Sequence, residues 1–201
     1  GFGISAVQAV PDANILTLTE TLDAVRRICD AGEIPVIADC DNGYGNAINV
    51  IRCVEEYERA GIAAICIEDN VYPKRCSFYA GVKRELISID EHCGKIKAAK
   101  GAQTVPDFMI IARTEALIAG WGKEEALKRA EAYAAAGADA VLIHSKSKTF
   151  DELKSVAENV AAANGASVVA QIPDRPGVPI TVNDPALSQR VLPSLQAAVG
   201  A

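Results

Sequence analysis

Short, unbroken apolar runs alternate with amphipathic stretches along most of the chain. The strand-sized apolar runs are residues 34–40, 62–69, 107–113, 138–144 and 167–173. Runs without a period of two are typical of strands that are buried on both faces, as in parallel sheets. The segments 46–61, 88–101 and 123–137 have the spacing of amphipathic helices, and each ends at glycine. The pattern therefore predicts a repeated strand–helix unit.

The repeat predicts an α/β fold, either a (β/α)8 TIM barrel or an open doubly wound sheet. The segment 60–69 (AGIAAICIED) recurs as 136–145 (AGADAVLIHS), a self-similarity that both folds produce. Polar residues close each run, and in a barrel these strand ends converge on one mouth, whereas a doubly wound sheet gathers only those at its switch point. We favour the barrel, as a single domain over 1–201.

Five strand-like runs are fewer than a complete barrel needs, since a barrel typically takes about 250 residues. We therefore expect the first strand to lie upstream of Gly1 and part of the C-terminal barrel to be missing from the sequence. The tail 174–201 predicts a loop and one helix.

Composition and charge exclude several classes of protein. Half of the 201 residues are apolar, and the formal net charge is −6 with a pI near 5.0. An acidic chain without a basic stripe argues against a nucleic-acid or membrane-surface partner. The apolar runs are far shorter than the roughly 20 residues that cross a bilayer, and residues 1–10 lack the basic head of a signal peptide. We expect a cytoplasmic protein that acts on a small molecule.

The six cysteines stand singly, without a C-x-x-C pair. This usage suggests neither a zinc site nor a disulfide framework, so most of them are expected in the core. Cys76 differs, because it lies among charged and aromatic loop residues where a thiol could be exposed and activated.

Carboxylates at two strand ends suggest a metal site. Asp39 and Asp41 are two residues apart in DCDNGYGN (39–46), so their side chains leave the strand end on the same side. Together with Glu68 they form an all-oxygen set without histidine, which suits Mg²⁺, or Mn²⁺ as the alternative, better than zinc. The other interpretation is that Asp39 caps a turn and Asp41 is solvated.

Three further polar residues have both a structural and a functional interpretation. Arg113 ends an apolar strand, so it should meet either a substrate anion or the carboxylate of Glu115 or Glu68. His144, at another strand end, is a catalytic candidate or a satisfied turn residue. Asp12 alone reads as a helix cap or turn residue.

The loop 72–81 (YPKRCSFYAG) combines a basic pair, a cysteine and two aromatic residues. A solvated loop explains Lys74 and Arg75 but accounts less well for Cys76, Phe78 and Tyr79. A lid that closes over a bound anion explains all of them.

Four segments, in this order, resemble the phosphoenolpyruvate mutase and isocitrate lyase superfamily: 39–46, 68–77 (EDNVYPKRCS), 112–122 (ARTEALIAGWG) and 136–146 (AGADAVLIHSK). The resemblance implies a (β/α)8 barrel, usually a homotetramer with helix exchange, that uses Mg²⁺ and a gating loop over an α-oxo acid or its enolate.

Site residues follow from this resemblance by position. It implies that Asp39, Asp41 and Glu68 surround the metal, with Asp39 as a direct ligand and the others acting largely through water. Asp12 would lie near the metal and the phosphoryl group, Arg113 would hold substrate anions, and His144 would line the same pocket. The gate would contain Lys74, Cys76, Ser77 and Phe78.

Within the superfamily, ARTEALIAGWG and LIHSK are similar to phosphoenolpyruvate mutases and phosphonopyruvate hydrolases. The gate departs from the mutase pattern, which has lysine where Asn70 stands and Asn-Ser in place of Cys76-Ser77. The resemblance therefore implies a mutase of phosphonate biosynthesis, with three alternatives. These are a phosphonopyruvate hydrolase, a carbon–carbon lyase of 2-hydroxy di- or tricarboxylates that uses Cys76 as general acid, and a non-catalytic relative.

Overall fold

The computed structural model of the protein describes residues 1–76, 81, 83–146, 154, 155, 157 and 158. The helices are α1 (Phe2–Val7), α2 (Leu18–Asp30), α3 (Ala47–Arg59), α4 (Ile89–Ala102) and α5 (Gly122–Ala135). The strands are β1 (Ile37–Asp39), β2 (Ala64–Glu68), β3 (Met109–Thr114) and β4 (Ala140–Ile143). The predicted strand 167–173 and the predicted tail helix lie outside the described residues, and the single domain over 1–201 stays a prediction.

The four strands form one parallel sheet in the order β1-β2-β3-β4. Each strand pairs with the next in sequence, and the register places Glu68 beside Arg113 and Arg113 beside Leu142. Four of the predicted strands and all three predicted helices are confirmed. Sequential order without a reversal is the order of a barrel, whereas a doubly wound sheet reverses at its switch point.

The two faces of the sheet have different surroundings. Ile65, Ile67 and Ile110 point to the helix side, where they join the main apolar core with residues of α3 and α4. On the other face Ile37 and Leu142 are 61% and 41% exposed. Burial on both faces is therefore complete for β2, whose five residues are all buried, but not for β1 and β4 at the edges of the described sheet.

Helix starts follow ordinary capping chemistry. Thr17 and Glu20 form a capping box at α2, and Asn46 with Asn49 forms one at α3. The predictions did not include α1 or α2, although the Thr17-x-x-Glu20 signature of a helix start was present. One predicted helix end is wrong: the helix predicted to end at Gly101 continues through that residue, and α4 ends at Ala102. No helix in the described part of the chain is long and apolar enough to cross a membrane.

His92 on α4 is completely buried, with its ring 4.5 Å from that of Tyr133 on α5. Among the described residues neither ring nitrogen has a hydrogen-bond partner. Burial lowers the pKa of His92 to about 4, and the nearby cations of Lys95 and Arg129 act in the same direction. The folded protein therefore keeps this ring neutral at a pH where an unfolded chain would protonate it.

We expect His92 to make the protein acid-sensitive. Between about pH 6.5 and pH 4 the unfolded chain takes up a proton that the folded chain does not, so stability falls as pH falls, by about 3 kcal/mol in total. Urea denaturation at several pH values would measure the slope. In His92→Gln the unfolding free energy should vary less with pH across this window, and an unchanged slope would contradict the assignment.

Candidate active site

A cavity of about 210 Å³ opens at the C-terminal ends of the strands. The predicted site residues that line it are Asp12, Asp39, Glu68, Lys74, Cys76, Arg113 and His144. Asp41 joins this group through an ion pair with Lys74, whereas Ser77 lies outside the described residues. The parallel sheet produces this convergence because Asp39 and Glu68 end successive strands, Arg113 is near the end of the third, and His144 follows the fourth.

Carboxylates dominate one wall of the cavity. The Lys74 ammonium lies 2.9 Å from Asp12 Oδ1 and also contacts Asp41 Oδ1. Asn14 was not among the predicted site residues. It donates from Nδ2 to Asp41 Oδ2 at 3.1 Å and accepts from the Lys74 backbone N–H. Lys74 is thus buried among acids and is not part of a solvated loop.

The turn after β1 combines both interpretations of Asp39. Asp39 Oδ1 accepts the Asp41 N–H at 3.1 Å, so the residue caps a turn while it also lines the cavity. Asp41 is not solvated, since its side chain is 13% exposed. Gly43 has φ +85°, and a Cβ there would lie 2.5 Å from Val50 Cγ2, so the turn requires glycine at this position.

Burial and charge shift the pKa values on this wall. Burial raises the pKa of Glu68 to about 7, although Arg113 and Lys74 oppose the shift. Burial also raises the pKa of Asp41, again against Lys74. Burial alone would lower the pKa of Lys74, but the carboxylates of Glu68 and Asp41 raise it above its ordinary value. Glu68 and Asp41 are therefore costly to ionise in this environment. Asp39 differs, because burial is outweighed by the amino group of Gly1 and by Lys74, which lower its pKa.

The donor set fits Mg²⁺. Asp12, Asp39, Asp41 and Glu68 offer only carboxylate oxygens, the ligands that this ion prefers. Within the described residues no three His, Cys, Asp or Glu side chains are grouped so that they could hold an ion together by direct contact. The fit to Mg²⁺ therefore rests on the type of ligand atom: these side chains offer oxygen, whereas zinc is commonly bound by nitrogen and sulfur.

A second group of residues lining the cavity is built around Arg113, next to Glu68. Its Nε and Nη2 both lie 2.6 Å from Glu115 Oε1, and its Nε lies 3.4 Å from Glu68 Oε2. His144 Nδ1 is 2.7 Å from Arg113 Nη2 and 2.8 Å from Glu115 Oε1. Both ion-pair partners considered for Arg113 are therefore present, and the guanidinium still lines the cavity. Glu68 and Glu115 raise the pKa of Arg113 against the effect of burial.

A buried polar cluster around Asp69 holds the backbone of Glu115 in place. Asp69 is fully buried and accepts from Thr114 Oγ1, Arg129 Nη1 and Tyr133 OH at 2.7–3.0 Å. Its second oxygen accepts the Glu115 N–H at 2.9 Å. The sequence placed Asp69 at a strand end but did not indicate this role, since its cationic partner lies 60 residues away on α5.

Backbone and side-chain hydrogen bonds hold the first residues of the predicted lid, loop 72–81. Asn70 forms an antiparallel bridge with Leu86, and Arg84 donates to the carbonyls of Arg75 and Cys76 at 3.3 and 2.7 Å. Cys76 is consequently only 4% exposed, so the expectation of an exposed loop thiol is wrong. The expectation of a core position is confirmed for Cys40, Cys53 and Cys66, which are buried.

Comparisons with known proteins agree with this geometry. The family model for phosphoenolpyruvate phosphomutase matches residues 1–184. The phosphonopyruvate hydrolase of Variovorax sp. (strain Pal2) is 52% identical over 153 residues, 76% of this chain and 53% of that protein. The phosphoenolpyruvate phosphomutase of Tetrahymena pyriformis is 47% identical over 155 residues, which are 77% of this chain and 52% of that protein. The 2,3-dimethylmalate lyase of Eubacterium barkeri is 45% identical over 170 residues, which are 84% of this chain and 57% of that protein.

Solved structures show the same fold. The phosphoenolpyruvate phosphomutase from Streptomyces platensis subsp. rosaceus matches with a TM-score of 0.76 and 57% identity, over 78% of this chain and 54% of that one. A phosphonopyruvate hydrolase in complex with oxalate and Mg²⁺ matches with a TM-score of 0.70 and 50% identity, over 77% and 52%.

These neighbours establish that the parallel sheet is part of a TIM barrel of the phosphoenolpyruvate mutase and isocitrate lyase superfamily. The chain spans about half the length of the curated relatives it matches. Since the family model covers most of the sequence, the chain belongs to the phosphoenolpyruvate phosphomutase family.

Proposed function

We propose that the protein is a Mg²⁺-dependent phosphoenolpyruvate phosphomutase, which interconverts phosphoenolpyruvate and phosphonopyruvate. The observation that carries the proposal is that one cavity is lined both by the carboxylates of Asp39 and Glu68 and by Arg113 and His144. A small anionic oxo acid suits a space of about 210 Å³ that offers both a cation site and a guanidinium.

In the proposed reaction the phosphoryl group leaves the enol oxygen of phosphoenolpyruvate and bonds to the methylene carbon, so an O–P bond breaks and a C–P bond forms. Asp39, Asp41 and Glu68 would hold Mg²⁺, which supplies charge neutralisation for the enolate and phosphoryl oxygens when bound. Arg113 would bind the phosphoryl or carboxylate oxygens, and its contact with Glu115 fixes the direction of its N–H groups. Lys74 and Cys76 would help to exclude water.

A second candidate is phosphonopyruvate hydrolysis, which the 52% identity to the Variovorax hydrolase supports. The same site would serve, with water as the acceptor of the phosphoryl group. A third candidate is carbon–carbon cleavage of a 2-hydroxy acid, with Cys76 as the acid that protonates the enolate. The position of Cys76 in the cavity wall and the identity to the dimethylmalate lyase favour it.

Phosphorus NMR of the purified protein with phosphonopyruvate and Mg²⁺ distinguishes these reactions. Formation of phosphoenolpyruvate identifies the mutase, and inorganic phosphate with pyruvate identifies the hydrolase. If the phosphonopyruvate signal persists unchanged, both phosphorus reactions are excluded, and 2-hydroxy acids become the substrates to test. Omission of Mg²⁺ is the control.

Cys76→Ser separates the mutase from the lyase. If Cys76 is a general acid, serine should lower turnover about 100-fold or more, because a hydroxyl is a far weaker acid than a thiol. If Cys76 only closes the cavity, turnover of phosphonopyruvate should stay within about threefold of the parent, since the two side chains are nearly the same size. Steady-state kinetics on each active substrate would measure the change, and Cys29→Ser, a partly exposed cysteine on α2, is the matched control.

A homotetramer and a role in phosphonate biosynthesis are proposed from the resemblance alone. The proposed cytoplasmic location rests on the acidic composition and on apolar runs shorter than a bilayer span. Light scattering of the purified protein would test the tetramer directly.

A further inference from the structure

Glu115, Arg113 and His144 meet at a single oxygen atom. Glu115 is 1% exposed, and its Oε1 lies 2.6 Å from Arg113 Nη2 and 2.8 Å from His144 Nδ1. The third side of this triangle, from Arg113 Nη2 to His144 Nδ1, is 2.7 Å. The position of the imidazole proton therefore depends on whether Nδ1 donates to Glu115 or accepts from Arg113.

The donors and acceptors of the three side chains distinguish the two tautomers of the neutral imidazole. The guanidinium only donates and an ionised carboxylate only accepts. Without a hydrogen, His144 Nδ1 would direct its lone pair at the carboxylate oxygen 2.8 Å away, which is repulsive. With a hydrogen, it makes a charge-assisted bond of ordinary length to that oxygen.

Arg113 favours the opposite tautomer, because its Nη2 lies within hydrogen-bond distance of His144 Nδ1 at 2.7 Å. Its Nε donates to Glu115 Oε1 at 2.6 Å, and Nη2 lies 2.6 Å from the same oxygen. Nη2 therefore faces both the carboxylate and the imidazole, and the charged carboxylate is the stronger acceptor of the two. The carboxylate is thus the common acceptor for both neighbours.

The backbone of Glu115 is anchored for this task. Its N–H donates to Asp69 Oδ1 at 2.9 Å, and the hydroxyl of the preceding Thr114 donates to Asp69 Oδ2 at 2.9 Å. Asp69 is in turn fixed by Arg129 and Tyr133 of α5. The position of the Glu115 backbone therefore depends on a fully buried cluster and not on the loop that follows β3.

We propose that Glu115 is a positioning residue that holds neutral His144 with its proton on Nδ1 and leaves Nε2 as the hydrogen-bond acceptor for the cavity. His144 lines that cavity, and its side chain is 27% exposed. An acceptor at this place selects a ligand group that carries a hydrogen, such as a hydroxyl or a monoprotonated phosphonate oxygen. The selection of a ligand rests on the proposed function, whereas the tautomer is a property of the protein without substrate.

Nitrogen-15 NMR of histidine-labelled protein tests the inference directly. The sequence contains two histidines, so two ring systems appear, and His92 between α4 and α5 is the internal reference. For the protein without substrate, two-bond proton correlations should show a protonated Nδ1 and an unprotonated Nε2 in neutral His144. A neutral His144 with its proton on Nε2 would overturn the proposal.

Glu115→Gln tests whether the carboxylate is the cause. The amide is a weaker acceptor and lacks the charge that holds the Arg113 hydrogens, so Nη2 should donate to Nδ1 and the imidazole proton should move to Nε2. The matched control is Glu124→Gln, an exposed acid in the first turn of α5, which should leave the His144 signals unchanged. An unaltered tautomer in Glu115→Gln would also overturn the proposal.

A second variant tests the same inference if Glu115→Gln does not fold. Glu115→Asp keeps a negative charge for Arg113 but withdraws the carboxylate by one methylene, so the same movement of the proton is expected. In the proposed reaction either variant should lower kcat/KM about 10- to 100-fold. If the protein turns over no phosphonopyruvate, the proposed function fails while the NMR result still decides the tautomer.

Discussion

Replacing Asp39 by asparagine should lower Mg²⁺-dependent turnover by about a thousandfold or more. Asparagine has the shape of aspartate and can still accept the Asp41 N–H that caps the turn, so the change removes charge and leaves the local fold. The loss follows because a hard cation held by few direct ligands depends strongly on each carboxylate. Steady-state kinetics with phosphonopyruvate and calorimetric titration with Mg²⁺ would measure the two effects separately.

The control for this change is Asp23→Asn, an exposed aspartate on α2 that pairs with Arg27. It should alter neither turnover nor the calorimetric binding of Mg²⁺. If Asp39→Asn binds Mg²⁺ as tightly as the parent and keeps its activity, the metal is held elsewhere, and the assignment of the acidic wall is wrong.

Replacing Asp69 by asparagine should lower the free energy of unfolding by about 3–5 kcal/mol. Asp69 is fully buried and pairs with Arg129, itself 3% exposed. Removing one partner of a buried ion pair is strongly destabilising, and the remaining ion-pair partner of Arg129, Glu125, is 26% exposed and contacts Nε instead of Nη1. The amide also places a donor where two oxygens now accept four hydrogen bonds. Urea denaturation at neutral pH would measure the loss.

Asp107→Asn is the matched control for Asp69→Asn, because Asp107 is an exposed aspartate two residues before β3. Its effect should be within about 0.5 kcal/mol. A loss below about 1 kcal/mol in Asp69→Asn would show that the cluster contributes little to stability.

Local patterns determined most of what the sequence could predict about the fold. Unbroken apolar runs identified β1 to β4, because a strand between helices has little use for polar residues. Glycine marked the end of α3 at Gly61, which adopts φ +75°, but it failed at α4, where glycine lies inside the helix. The helix α2 was predictable but was missed, since Leu18, Leu22, Val25 and Cys29 recur at helical spacing and pack in the core.

The site was predictable where position along a strand determines direction. Asp39, Glu68, Arg113 and His144 follow from the rule that parallel strands end at one edge. Asn14 was not predictable, since its contacts with Asp41 and Lys74 join segments that are 27 and 60 residues apart. No periodicity encodes such pairings. The double contact of Glu115 with Arg113 and His144 likewise depends on side-chain rotamers and not on sequence spacing.

The order β1-β2-β3-β4 has a consequence for how the chain is assembled during synthesis. Each strand pairs with the one made immediately before it, so a chain leaving the ribosome can add each new strand and helix to an edge that is already formed. Among the four described strands, no pairing has to wait for a distant segment. Loop closure between them therefore spans only one helix at a time, which keeps its entropic cost low. The residues of the candidate site are made in the same order, so Asp39 and Glu68 are in place before Arg113 is translated.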